Sequence, residues 1–141
     1  MNRELLRPGT IVRYPYLWKW QDARGETEGR RDRPTCVLVA ARRPAPDVTH
    51  LALLAISSQP PNDGEVALEV PEIECRRGGL ADWRQAWITV SEYNYDIAER
   101  SYYLELDQRP LGRFGKPFVM RVAAAFLPVF ADRQARVDRT E

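Results

Sequence analysis

Residues 35–58, TCVLVAARRPAPDVTHLALLAISS, hold two apolar runs separated by a polar segment with two prolines. The first run, TCVLVAA (35–41), is short, β-rich and almost wholly apolar, which is typical of a strand buried on both faces. The second run, HLALLAISS (50–58), has some helix propensity, but it is short, apolar throughout and bounded by prolines on both sides. The stretch therefore predicts two core strands that follow each other along the chain.

Weaker strand signals flank this pair. Toward the N terminus, PGTIVRYPYLW begins with a Pro-Gly turn and predicts a strand over about residues 10–16. Residues 19–33, KWQDARGETEGRRDR, have no apolar periodicity and predict a long loop. Toward the C terminus, EVALEV (65–70) and AWITVSEY (86–93) predict two more strands, with one helical turn in GGLADWRQ (78–85) between them.

A helical pattern begins at Pro117, a residue type that is well placed to open a helix. Apolar residues then recur close to the helical period, and we expect Pro128 to kink or end the helix. The pattern predicts a helix within about residues 117–135. The side chains expected to face the core form one stripe: Phe118, Val122, Phe126 and Phe130.

Short strands with turn residues between them, followed by one helix, predict a mainly β fold built as a small antiparallel barrel with a C-terminal helix. The chain has 141 residues, the length of one ordinary domain. Residues 1–141 are therefore predicted to form a single domain, with the barrel over about residues 8–95 and a C-terminal extension that carries the helix.

The charge balance limits the class of partner. Lys and Arg number 21 and Asp and Glu 20, for a net charge of +1, which argues against a general polyanion-coating protein. Any nucleic-acid role must come from local clustering of basic residues. The N terminus lacks the apolar core of a signal peptide and no apolar stretch is long enough to span a bilayer, so we expect a cytoplasmic protein with no membrane partner.

The two cysteines, Cys36 and Cys75, form no CxxC pair, and the chain has one histidine, so a zinc site lacks its ligands and no metal is expected. The preferred interpretation is two free thiols in a reducing compartment, and a disulfide between the two residues is the alternative.

Three arginines, Arg30, Arg31 and Arg33, stand directly before the first apolar run. One interpretation is a solvated face that keeps the loop in water. The other is a functional site, because Ser57 and Ser58 close the second apolar run and sites are often built where strands end. Composition by itself favours the solvated face.

The order of these features resembles the MazF/PemK family of bacterial toxin endoribonucleases, across roughly residues 8–95. The motifs that carry the resemblance are PGTIVRY, an RP pair followed by TCVLVA, LAISSQ, EVALEV, GGLADW and AWITVSEY. The longer first loop, which contains YLWKW, places the chain in a divergent branch. The resemblance implies an SH3-like barrel, a homodimer, and cleavage of single-stranded RNA without a metal or other cofactor. It also implies a small acidic antitoxin protein as partner.

The family's site residues are carried over by position. The arginine of the RP pair is Arg33, the hydroxyl residue is Ser57, and an acidic residue in the same loop is Glu28, the candidate base. Trp18 and Trp20 lie in the segment that closes over RNA in relatives, where aromatic rings can stack on bases. We expect further phosphate contacts from four arginines: Arg30, Arg31, Arg76 and Arg77.

Cleavage by the ribose 2′-hydroxyl needs a base, a proton donor at the departing 5′-oxygen and donors for the phosphorane charge. The planar guanidinium of Arg33 suits that charge, and the hydroxyl of Ser57 can donate to a nonbridging oxygen. Asp32, next to Arg33, departs from the family pattern. The sequence therefore leaves two hypotheses: a toxin endoribonuclease, or a catalytically silent SH3-like module that binds a peptide or nucleic acid.

Overall fold

The structure is a computed structural model that describes residues 3–44 and 46–140. The predicted domain of residues 1–141 also includes four residues outside this description, namely Met1, Asn2, Ala45 and Glu141. The described chain is mainly β, as predicted: a curled, largely antiparallel sheet and one long helix near the C terminus.

The strands are β1 (Thr10–Tyr14), β2 (Arg33–Pro44), β3 (Asp47–Ser57), β4 (Ala67–Glu69), β5 (Trp87–Thr89), β6 (Tyr93–Ile97), β7 (Gly112–Arg113) and β8 (Arg136–Asp138). The helices are α1 (Lys19–Ala23), α2 (Glu72–Arg77) and α3 (Lys116–Phe130). Single 3₁₀ turns lie at Arg3–Leu6, Ala98–Arg100 and Arg133–Ala135.

The hairpin of β2 and β3 is the centre of the sheet. The strand order is β4-β5-β3-β2-β1-β7, with β6 also paired to β3 and β8 paired in parallel to β6. Along one edge, β3 pairs first with β6 over residues 50–53 and then with β5 at Ile56 and Ser57. This change of partner, together with a register shift between Val37 and Val39 in β2, curls the sheet.

The apolar run HLALLAISS forms a strand, as predicted, and both faces of this strand, β3, are buried. Leu54 and Ile56 belong to the same core cluster as the buried side chains of α3, and Leu51 and Leu53 belong to a second cluster with Leu5 and the β1 residues Val12 and Tyr14. A strand covered on both sides needs no alternation of polar and apolar residues. The short strand β4, by comparison, lies at the edge of the sheet and is only partly buried.

Several local predictions are wrong. The predicted loop of residues 19–33 contains the helix α1, and the helix near GGLADWRQ is α2, which ends before that segment begins. The predicted strand over residues 86–93 is two strands, β5 and β6, because the chain turns between them. The sheet also continues past residue 95, since β7 and β8 belong to the C-terminal extension. Local propensity could not detect strands this short, which exist only through their pairing.

The helix α3 matches the predicted stripe in part. Phe118, Val122 and Phe126 are buried against the sheet, whereas Phe130 is 43% exposed. Pro128 lies within the last turn, and the helix ends two residues later. A proline here removes one donor near the end of the helix, where the helical ladder is about to stop in any case.

A buried arginine near the C terminus holds the first loop to the sheet. Arg139 is 3% exposed, and its Nη1 donates to the carbonyl oxygen of Pro15 and to Oδ1 of Asn94, both at 2.9 Å. Its Nη2 donates to the carbonyl oxygen of Thr27 at 3.2 Å. The guanidinium carbon lies 3.9 Å from the ring centroid of Tyr103. One side chain therefore holds together the two segments of chain on either side of α1.

Near Arg139, two parts of this loop, at Pro15 and Gly29, also come into close backbone contact. Gly29 has φ +75°, and a Cβ built there would lie 2.5 Å from the carbonyl oxygen of Pro15. Only glycine fits this conformation and this spacing. The loop is thus closed by backbone contact as well as by Arg139.

We predict that Arg139→Ala lowers the free energy of unfolding by about 2–4 kcal/mol, because several buried carbonyl oxygens lose a charged donor. Urea denaturation measures this change. The control is Arg133→Ala, an exposed arginine of the neighbouring 3₁₀ turn, which is expected to change stability by no more than about 0.5 kcal/mol. Equal urea midpoints for Arg139→Ala and the control would contradict the role given to Arg139.

Candidate nucleic-acid groove

A groove of about 740 Å³ opens where β2 and β3 separate. The β2–β3 ladder ends at the pair Thr35–Ala55, because Pro34 has no N–H to donate and β3 turns to pair with β5. Arg33 and Ser57 lie just beyond this last pair, on the two diverging strands. We call this space the corner groove; its lining includes Trp18, Trp20, Arg33, Ser57, Trp83 and Trp87.

Arg33 is held in the corner groove without a carboxylate partner. Its guanidinium carbon lies 5.2 Å from the ring centroid of Trp18, and among the described residues no carboxylate is at salt-bridge distance. Burial and the neighbouring charge of Arg31 lower the pKa of Arg33, which stays protonated because an arginine pKa lies far above neutral pH. A partly buried cation that forms no salt bridge is a favourable place for a phosphate.

Ser57 presents its hydroxyl at the end of β3. Its Oγ accepts a hydrogen bond of 3.0 Å from the backbone N–H of Gln59. A serine hydroxyl that accepts in this way keeps its own proton for another acceptor. The turn thereby orients the oxygen and leaves a donor for a ligand in the groove.

All four tryptophans of the chain line the corner groove. Trp18 and Trp20 come from the first loop, where Trp18 packs edge-on against the buried Tyr16 at a centroid distance of 5.1 Å. Trp83 lies four residues before β5, Trp87 is the first residue of β5, and both are partly exposed. The sequence prediction missed these last two. Their signal was the abundance of a rare residue type, but only the fold brings the two pairs together.

The charges in the groove are mixed. Three cations line it, Arg31, Arg33 and Arg84, beside three carboxylates: Asp32, Glu65 and Asp82. Oε1 of Glu65 accepts a hydrogen bond of 2.9 Å from the backbone N–H of Asn62. Electrostatic attraction for a polyanion is therefore concentrated at individual arginines and is not a property of the whole surface.

The other predicted site residues are spread more widely. Glu28 is exposed and outside the groove lining. Arg30 pairs with Glu26 at 3.2 Å, and its guanidinium carbon lies 5.0 Å from the ring centroid of Trp20, at the edge of the groove. The remaining two arginines lie on α2. Arg76 pairs with Glu72 and Arg77 with Glu74, each at 2.8 Å.

A buried carboxyl that is not among the predicted site residues supports the segment with the first two tryptophans. Oε2 of Glu92 accepts hydrogen bonds from the hydroxyl of Tyr16 at 3.1 Å and from the backbone N–H of Lys19 at 2.9 Å. Asn94 adds two bonds to Leu17, through its Oδ1 and its Nδ2. Burial raises the pKa of Glu92 to about 7, although both hydrogen bonds oppose the rise.

Both cysteines are free thiols and both are buried, so the prediction of two free thiols is confirmed and the alternative disulfide is not formed. Burial raises the pKa of Cys36 to about 12 and also raises that of Cys75. Within residues 3–44 and 46–140, no cluster of three or more His, Cys, Asp or Glu side chains has the arrangement of a metal site. None of the helices described is both long and apolar enough to cross a bilayer.

In comparisons with known proteins, no family model, no curated protein and no solved structure gives a significant match to this chain.

The raised pKa of Glu92 makes stability depend on pH. A carboxyl that titrates near 7 when folded and near 4.5 when unfolded binds more protons in the native state between these values, so stability falls as pH rises through this window. Glu92→Gln keeps an acceptor and removes the titration. We predict that this variant gains, relative to wild type, on the order of 2–3 kcal/mol between pH 4.5 and pH 8.

Urea denaturation of both proteins at several pH values measures this difference. Glu99→Gln is the control, because hydrogen bonds from Thr49 lower the pKa of Glu99 and its replacement should not be stabilising at high pH. A wild-type to Glu92→Gln difference that is constant with pH would show that Glu92 titrates at an ordinary pKa.

Proposed function

We propose that the chain is a MazF/PemK-like endoribonuclease that cleaves single-stranded RNA without a metal, with an SH3-like barrel as its fold. The observation that carries the proposal is the convergence of all four tryptophans, an unpaired Arg33 and the hydroxyl of Ser57 on one groove. Aromatic rings stack on unpaired bases, and an arginine fork binds phosphate between them. The predicted pairing of Arg33 with Ser57 across a phosphate is compatible with their places on the two diverging strands.

The proposed reaction is a transesterification within the RNA. The 2′-oxygen bonds to phosphorus as a carboxylate takes its proton, and the bond to the 5′-oxygen breaks as that oxygen takes a proton from a water molecule. The products are a 2′,3′-cyclic phosphate and a 5′-hydroxyl. Arg33 stabilises the negative charge of the phosphorane and Ser57 donates to a nonbridging oxygen.

Two glutamates are candidates for the general base that takes the 2′-hydroxyl proton. Glu28 is the residue that the family resemblance implies, and it lies in the exposed part of the first loop. Glu65 lines the corner groove directly. Glu28→Gln and Glu65→Gln separate them, because loss of the base changes the acid limb of the pH–rate profile and loss of a binding residue does not.

We predict that Arg33→Ala lowers cleavage of a mixed-sequence single-stranded RNA by about a hundredfold or more, measured with EDTA present, since one preorganised donor contributes about 3 kcal/mol to transition-state stabilisation. Arg33→Lys should not restore the rate, because an ammonium lacks the bidentate fork. Ser57→Ala should cost less than Arg33→Ala, since a neutral donor is weaker than a charged one. Arg109→Ala, an exposed arginine outside the groove, is the control.

Full activity of Arg33→Ala would reject the proposed reaction. If folded wild type binds RNA but cuts none, the silent-module hypothesis replaces the enzyme. The balance of three carboxylates against three arginines in the groove is the observation that favours this second candidate.

We further propose that the protein is a homodimer, and that a small acidic antitoxin restrains it by way of the basic first loop. The edge strand β4 and its surroundings offer a surface for the dimer, since Val66 is 58% and Ile73 is 53% exposed there. An exposed strand edge beside apolar side chains is prone to pairing with a second chain.

For the dimer we predict that Val66→Lys shifts sedimentation at micromolar concentration from dimer to monomer, because a charge is then buried at the interface. Thr140→Lys, an exposed position near the C terminus, is the control and should leave the dimer intact. A wild-type monomer at the same concentration would reject the dimer.

A further inference from the structure

A second cleft lies at the opposite end of the β2–β3 hairpin from the corner groove. It has a volume of about 250 Å³, and its walls include Val39, Leu51, Tyr95 and Phe130. It shares no lining residue with the corner groove. His50 in this cleft and Ser57 in the groove are both on β3, and a strand rises ~3.3 Å per residue, so the two are separated by about 23 Å.

The rim of this cleft is basic. Arg43, His50 and Arg136 line it, and none of its described lining residues is acidic. Nδ1 of His50 lies 2.6 Å from the hydroxyl of Tyr95, and the guanidinium carbon of Arg136 lies 3.7 Å from the Tyr95 ring centroid. Arg136 has one carboxylate nearby, that of Asp138, at 3.7 Å. Arg43 has none at salt-bridge distance within the described chain, whereas its neighbour Arg42 is paired with Asp47 at 2.8 Å.

The helix α3 continues this surface with apolar side chains. Phe130 lines the cleft, and Leu127, one turn earlier in the helix, is 69% exposed. Met120, two further turns back, is 62% exposed. The sequence of α3 contains two basic residues, Lys116 and Arg121, and no acidic residue. Large apolar side chains exposed in a row beside basic residues, one of which, Arg43, has no carboxylate at salt-bridge distance within the described chain, are typical of a surface that binds another protein.

We propose that the cleft and the exposed face of α3, together the α3 surface, dock an acidic amphipathic segment of a partner protein. Apolar side chains of that segment would cover Leu127 and Phe130, and its carboxylates would meet Arg43 and Arg136. A second copy of this chain fits less well, because it would set one basic α3 surface against another. This inference does not depend on whether the corner groove cleaves RNA.

The test uses the full chain and two fluorescent synthetic peptides of equal length. Both have leucine at positions i, i+3, i+4 and i+7, and the other positions are glutamate in one peptide and lysine in the other. We expect fluorescence anisotropy to show binding of the glutamate peptide, weakened by salt, and no binding of the lysine peptide.

Variants then locate the binding. Leu127→Ser should raise the Kd of the glutamate peptide at least about tenfold, because a central apolar contact is lost. Arg43→Gln should raise it about threefold to tenfold, as loss of a rim charge does. Arg42→Gln is the matched control and should leave the Kd unchanged, since this neighbour of Arg43 on β2 is already paired with Asp47 of β3. All three side chains are exposed, and circular dichroism checks that the variants fold.

Four results would overturn the proposal. They are failure of the glutamate peptide to bind, equal binding of both peptides, loss of binding in Arg33→Ala or on addition of single-stranded RNA, and a wild-type dimer that Leu127→Lys dissociates. The third result would place the peptide in the corner groove, and the fourth would assign the α3 surface to a second copy.

Discussion

The guanidinium of Arg139 joins parts of the chain that no local interaction could hold together. It donates hydrogen bonds to the carbonyl oxygens of Pro15 and Thr27, which lie on either side of α1, and to Oδ1 of Asn94 on β6. A charge this deeply buried is tolerated because both of its terminal nitrogens donate to oxygen acceptors. The loop between Pro15 and Thr27 carries Trp18 and Trp20, and α1, with its few residues, is too short to fold by itself. The shape of one wall of the corner groove therefore depends on a residue near the end of the chain.

The groove forms where β2 and β3 stop pairing with each other. β3 pairs with β2 over most of its length, and at Ile56 and Ser57 it pairs with β5 through its other edge. Pro34 ends the ladder on the β2 side, so the two strands part at the point where Arg33 and Ser57 stand. Rigid strands thus supply the arginine and the hydroxyl, while the first loop supplies two of the aromatic rings. A site of this kind combines polar groups on strands with aromatic rings on a loop, which suits a single-stranded ligand.

The sequence predicted those parts of the structure that rest on periodicity. The apolar runs that became β2 and β3, and the stripe of Phe118, Val122 and Phe126 on α3, were recognisable because burial imposes their pattern. Arg33 and Ser57 were placed correctly at strand ends for the same reason. Asn94, Arg139, Trp83 and Trp87 carry no local pattern, and their roles arise from contacts across the sheet. Phe130 shows the reverse case, since its spacing predicted burial while the end of the helix leaves it beside an open cleft.

The balance of charge in the corner groove bears on how it would select a ligand. Arg31, Arg33 and Arg84 face Asp32, Glu65 and Asp82, so the formal charge of this set is zero. A protein that binds nucleic acid by counterion release alone needs a surplus of cations, and its affinity falls steeply with salt. Here the carboxylates repel phosphates from all but a few positions, while each base can stack on a tryptophan for about 1–3 kcal/mol. In the proposed RNA complex, stacking would contribute most of the affinity, and Arg33, which has no carboxylate at salt-bridge distance among the described residues, would be the position where one phosphate is bound and held in register.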